Sequence, residues 1–188
     1  MPLAPLDIEV TVDSKREIIS ETDRSGRITY CNDYFIELSG YKEEELCGSA
    51  HNLVRHPDMP KTVFKLLWDA LLHDRSYTAI IKNRRKDGKY YWVFSEYKVL
   101  HDKDKNIRGF RSKRFPVPRH ILGEVETLYA KLIEFEATKG EKDAEMFLEL
   151  KLDQEGYRNY TEFVEDLYNR ELKSVFGFFG KLFGRKSA

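Results

Sequence analysis

The sequence predicts an α+β domain: one five-stranded antiparallel sheet with helices on one face, followed by a helical extension. Two segments rich in β-branched and aromatic residues precede a helical middle, and three more follow it. Asp87-Gly88 separates the third of these segments from the fourth, and this dipeptide is a strong hairpin signal. After residue 117 helical spacing replaces strand alternation. Such a layout leaves a hollow between sheet and helices, where small ligands are commonly bound.

Turn and capping residues delimit the first elements. Asp23-Arg24-Ser25-Gly26 supplies turn chemistry between two strands, and its glycine can adopt a positive φ. Asn32 is predicted to be the N-cap of a short helix that Gly40 closes. Pro60 is suited to the start of the longest helix of this part of the chain. This part of the chain is therefore expected to alternate tight hairpins with short helices.

Three strands are predicted at 77–83, 89–100 and 107–117, and a helix begins near His120. The apolar residues of this helix alternate by four and three, as coiled-coil core positions do. The helix therefore either pairs with a partner helix or lies on its own domain, and the sequence leaves both alternatives open. These core positions are Ile121, Val125, Leu128, Leu132 and Phe135. Asn159 and Glu162 resemble a capping box that opens one further helix.

Four regions follow from these patterns. They are an N-terminal lead segment (1–15), an α+β domain (16–117), a helical region (118–172) and a basic amphipathic tail (173–188). A basic, aromatic and amphipathic end is suited to a membrane surface or to a groove on a partner.

Composition narrows the classes of function. Basic and acidic residues both number 32, so no positive excess favours nucleic acid as a partner. No run of 18 apolar residues and no signal peptide is present, and only two cysteines occur. We therefore expect a cytoplasmic protein, either free or held at the inner membrane through a partner or the tail. No nucleophile, base and orienting partner can be assembled from motifs, which indicates a protein that is not an enzyme.

Two stretches concentrate chemistry-bearing side chains. The first, 51–60, places two imidazoles, a guanidinium and a carboxylate directly before a helix. The second, 82–92, alternates basic and aromatic residues around a hairpin. A metal site is not expected, because His51 and His56 are five residues apart, Pro57 interrupts the segment and no cysteine joins them.

These residues resemble a known family. Residues 26–48, which include Gly40-Tyr41 and Glu44-Glu45-Leu46-Cys47-Gly48, are similar to the opening of a PAS domain. The stretches 51–60 and 82–93 are more specific: they resemble the flavin-binding PAS sensors of aerotaxis receptors (Aer) and of CetB-type energy-taxis proteins. The resemblance covers roughly residues 16 to 133, and it implies that 16–117 is a PAS sensor domain and that 118–172 is its output or dimerisation region.

The resemblance implies a PAS fold that holds FAD without a covalent bond and signals redox or oxygen state to a chemoreceptor partner. A flavin requires aromatic walls and a few amides, and the pyrophosphate of FAD favours cationic groups. On this basis Asn83 is expected to bond the polar edge of the ring, since an amide both donates and accepts. Asp58 is expected to cap the following helix. The predicted cofactor-binding residues are Asn83, Arg55, His56, Trp68, Tyr77, Tyr91, Asp58 and His51.

One departure from the family pattern keeps an alternative cofactor open. Relatives usually have Trp-x-Gly where this chain has Tyr77-Thr78-Ala79, so haem is an alternative, with His51, His56 or His73 as axial ligand. A cofactor-free adaptor, with the hollow filled by side chains, is a third alternative. Homodimerisation through the helices after residue 118 is also expected.

Overall fold

A computed structural model describes residues 4–170, and its centre is a single antiparallel sheet. The strands lie in the order β2-β1-β5-β4-β3, and each neighbouring pair is antiparallel. The strands are β1 (Ile18–Asp23), β2 (Ile28–Cys31), β3 (Tyr77–Arg84), β4 (Tyr90–His101) and β5 (Ile107–Pro116). The predicted five-stranded α+β architecture is confirmed.

Helices follow the first hairpin and the last strand. A short 3-10 helix, His51–Val54, precedes the longest of the helices that lie between the second and third strands. The α-helices are α1 (Asp33–Ser39), α2 (Glu43–Leu46), α3 (Lys61–Leu72), α4 (Arg119–Thr138), α5 (Glu141–Gln154) and α6 (160–170).

Asn32 joins the first helix to the sheet. Its Oδ1 accepts hydrogen bonds from the backbone N–H groups of Phe35 and Ile19, each at 3.1 Å, while its Nδ2 donates to the carbonyl of Glu17 at 2.7 Å. The same amide therefore caps α1 and fixes that helix against β1. Gly40 ends α1 with φ of 73°, as predicted for a left-handed C-cap.

The two faces of the sheet are covered by different helices. Helices α1 to α3 lie over the inner face, and α4 and α6 cover the outer one. On the outer face the ring of Trp92 lies 6.2 Å from that of Tyr129 in α4, and the ring of Phe94 stacks on Tyr168 of α6 at 4.0 Å. The helical region thus packs against the sheet rather than projecting from it.

Helix α4 uses its apolar seam within the chain, which decides between the two alternatives predicted for it in favour of packing on its own domain. Phe135 stacks on Phe147 of α5 with ring centroids 4.6 Å apart. The other seam residues are buried in the same unit: Ile121, Val125, Leu128 and Leu132.

Helix α5 is not among the predicted elements. Gly140, with φ of 97°, precedes it, and every fourth residue along its inner side is buried. Those residues are Ala144, Leu148 and Leu152. Charged residues occupy most other positions of α5, so the stripe is narrow and the helical period is weak in the sequence.

The lead segment pairs with the sheet. The backbone of residues 6–10 runs parallel to the start of β4, with hydrogen bonds from Leu6 N to Gly88 O at 2.8 Å and from Val10 N to Tyr90 O at 2.7 Å. Glu9 also forms an ion pair with Arg119 at the start of α4. Within residues 4–170 no helix has the length and apolar character needed to cross a bilayer. The predicted tail, 173–188, lies outside the described residues.

The turn before β2 generates a prediction about packing. Gly26 has φ of +81°, and a Cβ there would lie 2.8 Å from Cη2 of Trp68, whereas Gly48 has φ of +83° and no atom within 4 Å of its Cβ position. Both Gly→Ala substitutions should lose about 1–2 kcal/mol from the left-handed backbone. Gly26→Ala should lose about 1–3 kcal/mol more through overpacking. Urea unfolding of both variants checks this, and equal midpoints would contradict it.

Candidate cofactor site

A cavity of about 220 Å³ lies between the inner face of the sheet and helix α3. Four apolar side chains of α3 form one wall, and the exposed residues of the lining mark the opening near the β1–β2 turn and the 3-10 helix. The α3 residues are Phe64, Leu67, Trp68 and Leu71, and the exposed residues at the opening are Ser25, Ala50 and Asn52.

A buried guanidinium lies at the centre of the polar wall. Arg114 of β5 is 1% exposed, and its Nη2 donates to Ser20 Oγ at 3.0 Å and to His51 Nε2 at 2.7 Å. Its Cζ lies 5.0 Å from the centroid of the Phe35 ring. Among residues 4–170 no carboxylate forms an ion pair with it, and its Nη1 has no hydrogen bond of ordinary geometry, although the Tyr97 hydroxyl interacts with the guanidinium. A buried charge without a counter-ion is costly, so this group is available to a ligand.

His51 is held neutral beside this guanidinium. Burial, and then the charge of Arg114, lower the pKa of His51 from 6.5 to about 3. Because Arg114 can only donate, Nε2 of His51 must accept, which assigns the ring proton to Nδ1. The imidazole stacks on Phe35 with centroids 5.8 Å apart. Ser20 Oγ lies 3.1 Å from the same Nε2 and 3.2 Å from Ser112 Oγ, so a polar network supports the ring.

Asn83 provides a second unpartnered donor. Its side chain lines the cavity from β3, is 3% exposed, and has no hydrogen-bond partner for Nδ2. The hydroxyl of Tyr91 lies beside Asn83 but has no hydrogen bond of ordinary geometry. Burial raises the pKa of Tyr91 to about 12, although Asn83 acts in the opposite direction. Asn83 and Arg114 therefore both bring unpartnered polar atoms to one cavity wall.

Four of the eight residues predicted to bind a cofactor line this cavity: His51, Arg55, Trp68 and Asn83. Arg55 donates from Nη2 to the Met59 carbonyl at 2.8 Å, and its Cζ lies 4.3 Å from the Phe64 ring. Trp68 meets Phe110 edge-to-face with centroids 5.7 Å apart, which closes one end of the cavity.

His56 and Asp58 lie behind the cavity lining. His56 is buried, its backbone N–H donates to the Lys82 carbonyl at 3.3 Å, and its Nδ1 accepts from the backbone of Asp58 at 3.1 Å. The Asp58 carboxylate accepts from Lys82 Nζ at 2.7 Å. Asp58 does not cap the helix as predicted, because α3 begins after Pro60 without a side-chain cap and the carboxylate bonds Lys82 instead. Both residues fasten the loop before α3 to the edge of β3.

The two tyrosines predicted as cofactor walls also lie outside the lining. Tyr77 stacks on Tyr160 of α6 with centroids 6.0 Å apart and donates to the Val63 carbonyl at 3.3 Å. Tyr91 is fully buried on β4. A direct cofactor contact for these tyrosines, and for His56 and Asp58, stays a prediction.

Fifteen of the nineteen lining residues were not predicted, and one signal could have identified several of them. Along β5, residues 110, 112 and 114 alternate onto the inner face, so a serine and an arginine occupy positions where a strand normally carries core residues. Polar residues at inward positions of a strand indicate a ligand site. The residues missed on the inner face of the sheet include Ser20, Tyr97, Phe110, Ser112 and Arg114.

The cavity does not fit the haem alternative. Of the three histidines considered as axial ligands, only His51 lines it, and the Nε2 of that ring accepts a hydrogen bond from Arg114. His56 lies behind the lining, and the side chain of His73 is 68% exposed at the end of α3. The adaptor alternative predicts a hollow filled by side chains, which the cavity contradicts.

The low pKa of His51 generates a prediction about acid stability. The unfolded chain takes up a proton near pH 6.5, whereas the folded ring stays neutral to about pH 3, so stability is present above pH 6.5 and is lost as the pH falls. His56, with a pKa lowered to about 4 by burial and by Lys82, acts in the same direction. His51→Gln should therefore reduce the pH slope of the unfolding free energy by up to about 1.4 kcal/mol per pH unit. Urea unfolding between pH 7.5 and 4.5 measures both slopes, and identical slopes would contradict the assignment.

Comparison with known proteins agrees with this geometry. Residues 28–112 match the family model described as the PAS fold. The chain is 41% identical over 115 residues to the aerotaxis receptor of Escherichia coli, a match that covers 61% of this chain and 22% of the receptor. It is 25% identical over 144 residues to the bacterioopsin transcriptional activator of Halobacterium salinarum, covering 68% of this chain and 21% of that protein. The chain thus spans about a fifth of the length of each of these two relatives.

Solved structures share the fold. A light-oxygen-voltage domain studied with a flavin analogue superimposes with a TM-score of 0.53 at 20% identity, covering 65% of this chain and 90% of that one. The dark structure of the aureochrome1 light-oxygen-voltage domain gives 0.52 at 19% identity, covering 63% and 86%. The part of the chain that carries the sheet and the cavity has the PAS fold, and about three fifths of the chain is similar in sequence to the aerotaxis receptor.

Proposed function

We propose that this chain is a redox or oxygen sensor that binds FAD in the cavity and signals by conformational change to a chemoreceptor-type partner. Similarity to the aerotaxis receptor supports a sensory role, and similarity to light-oxygen-voltage domains supports a flavin. A bound flavin supplies electron-transfer chemistry; the protein supplies binding, orientation and electrostatics.

The observation that carries the proposal is the pair of buried, unpartnered donors in the cavity, Asn83 Nδ2 and Arg114 Nη1. Buried polar groups are nearly always hydrogen-bonded in native proteins, so these two indicate a ligand with acceptor atoms. The polar edge of a flavin carries carbonyl oxygens and ring nitrogens that accept, and its flat ring suits the apolar wall of α3. These residues therefore fit the group.

The size of the cavity suits only part of the cofactor. About 220 Å³ is below the range of about 300–1,000 Å³ typical of small-molecule sites. We therefore assign the cavity to the ring system and direct the diphosphate and adenine towards the opening at Ser25 and Asn52. Arg55, which also lines the cavity, offers a cationic group to a phosphate.

The cellular setting is part of the same proposal. We place the chain in the cytoplasm, with contact to the inner membrane only through a partner or the predicted tail. Homodimerisation would use surfaces other than the α4 seam, because that seam is buried within the chain.

An absorption spectrum tests the proposal directly. The purified full chain, reconstituted with FAD and desalted, should keep the two flavin bands in the blue and the near ultraviolet. FMN and riboflavin in parallel titrations measure how much the adenine and diphosphate contribute. A colourless protein after each reconstitution would reject the flavin proposal and favour a ligand of another class.

Arg114→Met separates ligand binding from folding. The variant removes a buried charge that has no described counter-ion, so stability in the ligand-free state should change by less than about 1.5 kcal/mol or increase. Flavin affinity should fall by about 10-fold to 100-fold, because a charge-assisted hydrogen bond to the ligand is lost. Arg108→Met, at an exposed arginine of the same strand, is the matched control and should leave affinity unchanged. Equal affinities in the two variants would contradict the role of Arg114.

A further inference from the structure

The N-terminus of α3 is capped by a residue from another helix. Pro60 precedes α3 and offers no side-chain cap. Instead, Oε1 of Glu136 in α4 accepts hydrogen bonds from the backbone N–H and the Oγ1 of Thr62, both at 2.8 Å. Thr62 is 1% exposed and Glu136 is half-buried, so this cap is partly shielded from water. A carboxylate at this point satisfies an orphan backbone donor and interacts favourably with the helix dipole.

The opposite side of α3 lines the cavity. Phe64, Leu67 and Trp68 project from it towards the proposed ring position. Arg55, which also lines the cavity, is electrostatically linked to the cap: burial lowers the pKa of its guanidinium, and the charge of Glu136 acts against that shift. A ligand that moves α3 or engages Arg55 therefore acts on the environment of Glu136.

The ion pairs between α3 and α5 lie at or near the surface. Lys61 pairs with Glu141 at 3.0 Å, and the side chains of these residues are 64% and 51% exposed. Lys65 pairs with Glu145 one turn further on. Ion pairs near the surface contribute about 0–1 kcal/mol to stability. These pairs are therefore too weak to determine the position of α5.

We propose that Glu136 is a positioning residue that couples occupancy of the cavity to the packing of α4 and α5, by capping the cavity-lining helix from the helical region. The cap is made only when α4 is docked, so any ligand that favours the capped position of α3 favours docking, and docking raises ligand affinity by the same factor. This inference rests on the proposed flavin site for its ligand, but the cap itself is independent of it.

Hydrogen exchange of the full chain tests the coupling. Flavin binding should slow amide exchange in residues 132–154 of the unsubstituted protein, and Glu136→Ala should abolish that response and weaken flavin binding by about fivefold or more. Glu136→Gln retains an acceptor oxygen and should restore part of both. Glu134→Ala, which removes an exposed carboxylate from the same helix as Glu136, is the matched control and should behave like the unsubstituted chain.

The outcomes separate this proposal from the flavin proposal. If flavin binds and Glu136→Ala keeps both the exchange response and the affinity, the coupling is overturned while the flavin site stands. If no flavin binds, Leu67→Ala in the cavity wall replaces the ligand as the perturbation. It should accelerate exchange in 141–154 in the unsubstituted chain and much less in the Glu136→Ala background. Equal acceleration in both backgrounds would also overturn the coupling.

Discussion

The inner half of this protein is organised around a guanidinium buried without an ionic partner among the described residues. Arg114 reaches Ser20 and His51 with one nitrogen and leaves the other unpartnered at the cavity wall. The cost of desolvating such a charge is sustained only where hydrogen bonds and surrounding structure hold it. Burial, and then the positive charge of Arg114, keep His51 neutral. The cavity wall therefore presents hydrogen-bond donors without a second positive charge.

Two sets of direct contacts connect that wall to the helical region. Alternation along β4 places Tyr91 and Ser95 on the inner face of the sheet and Trp92 and Phe94 towards α4 and α6. A change in the inner face thus reaches the helical region through one layer of backbone. The second connection passes around the edge, from α3 to Glu136. A sensory domain requires such physical continuity, since a ligand shifts a conformational equilibrium only through contacts that differ between the two states.

Most of the fold could be predicted because local signals agree with it. Gly26, Asn32 and Gly40 each have the turn or cap conformation that their chemistry favours, and the hairpin at Asp87-Gly88 fixes the register of β3 and β4. Helix α5 could not, since its buried stripe is narrow and tertiary packing on α4 stabilises it.

The candidate site was predicted only in part, for a related reason. Motif resemblance identified Asn83 and the loop that carries His51, whereas Arg114 belongs to no motif and is recognised only by its inward position on β5. His56 and Asp58 share that loop with His51 but are directed to the edge of β3, since Lys82 and its carbonyl provide their partners. Sequence proximity therefore identified the segment, and side-chain direction separated its supporting residues from those that line the cavity.

A crystal structure of the full chain grown with FAD would test the central claim most directly. The account predicts a flavin ring between α3 and the sheet, with Asn83 Nδ2 and Arg114 Nη1 each within about 2.7–3.2 Å of an acceptor atom of the ligand. Ordered water satisfying both donors, with FAD absent or bound at another surface, would contradict it.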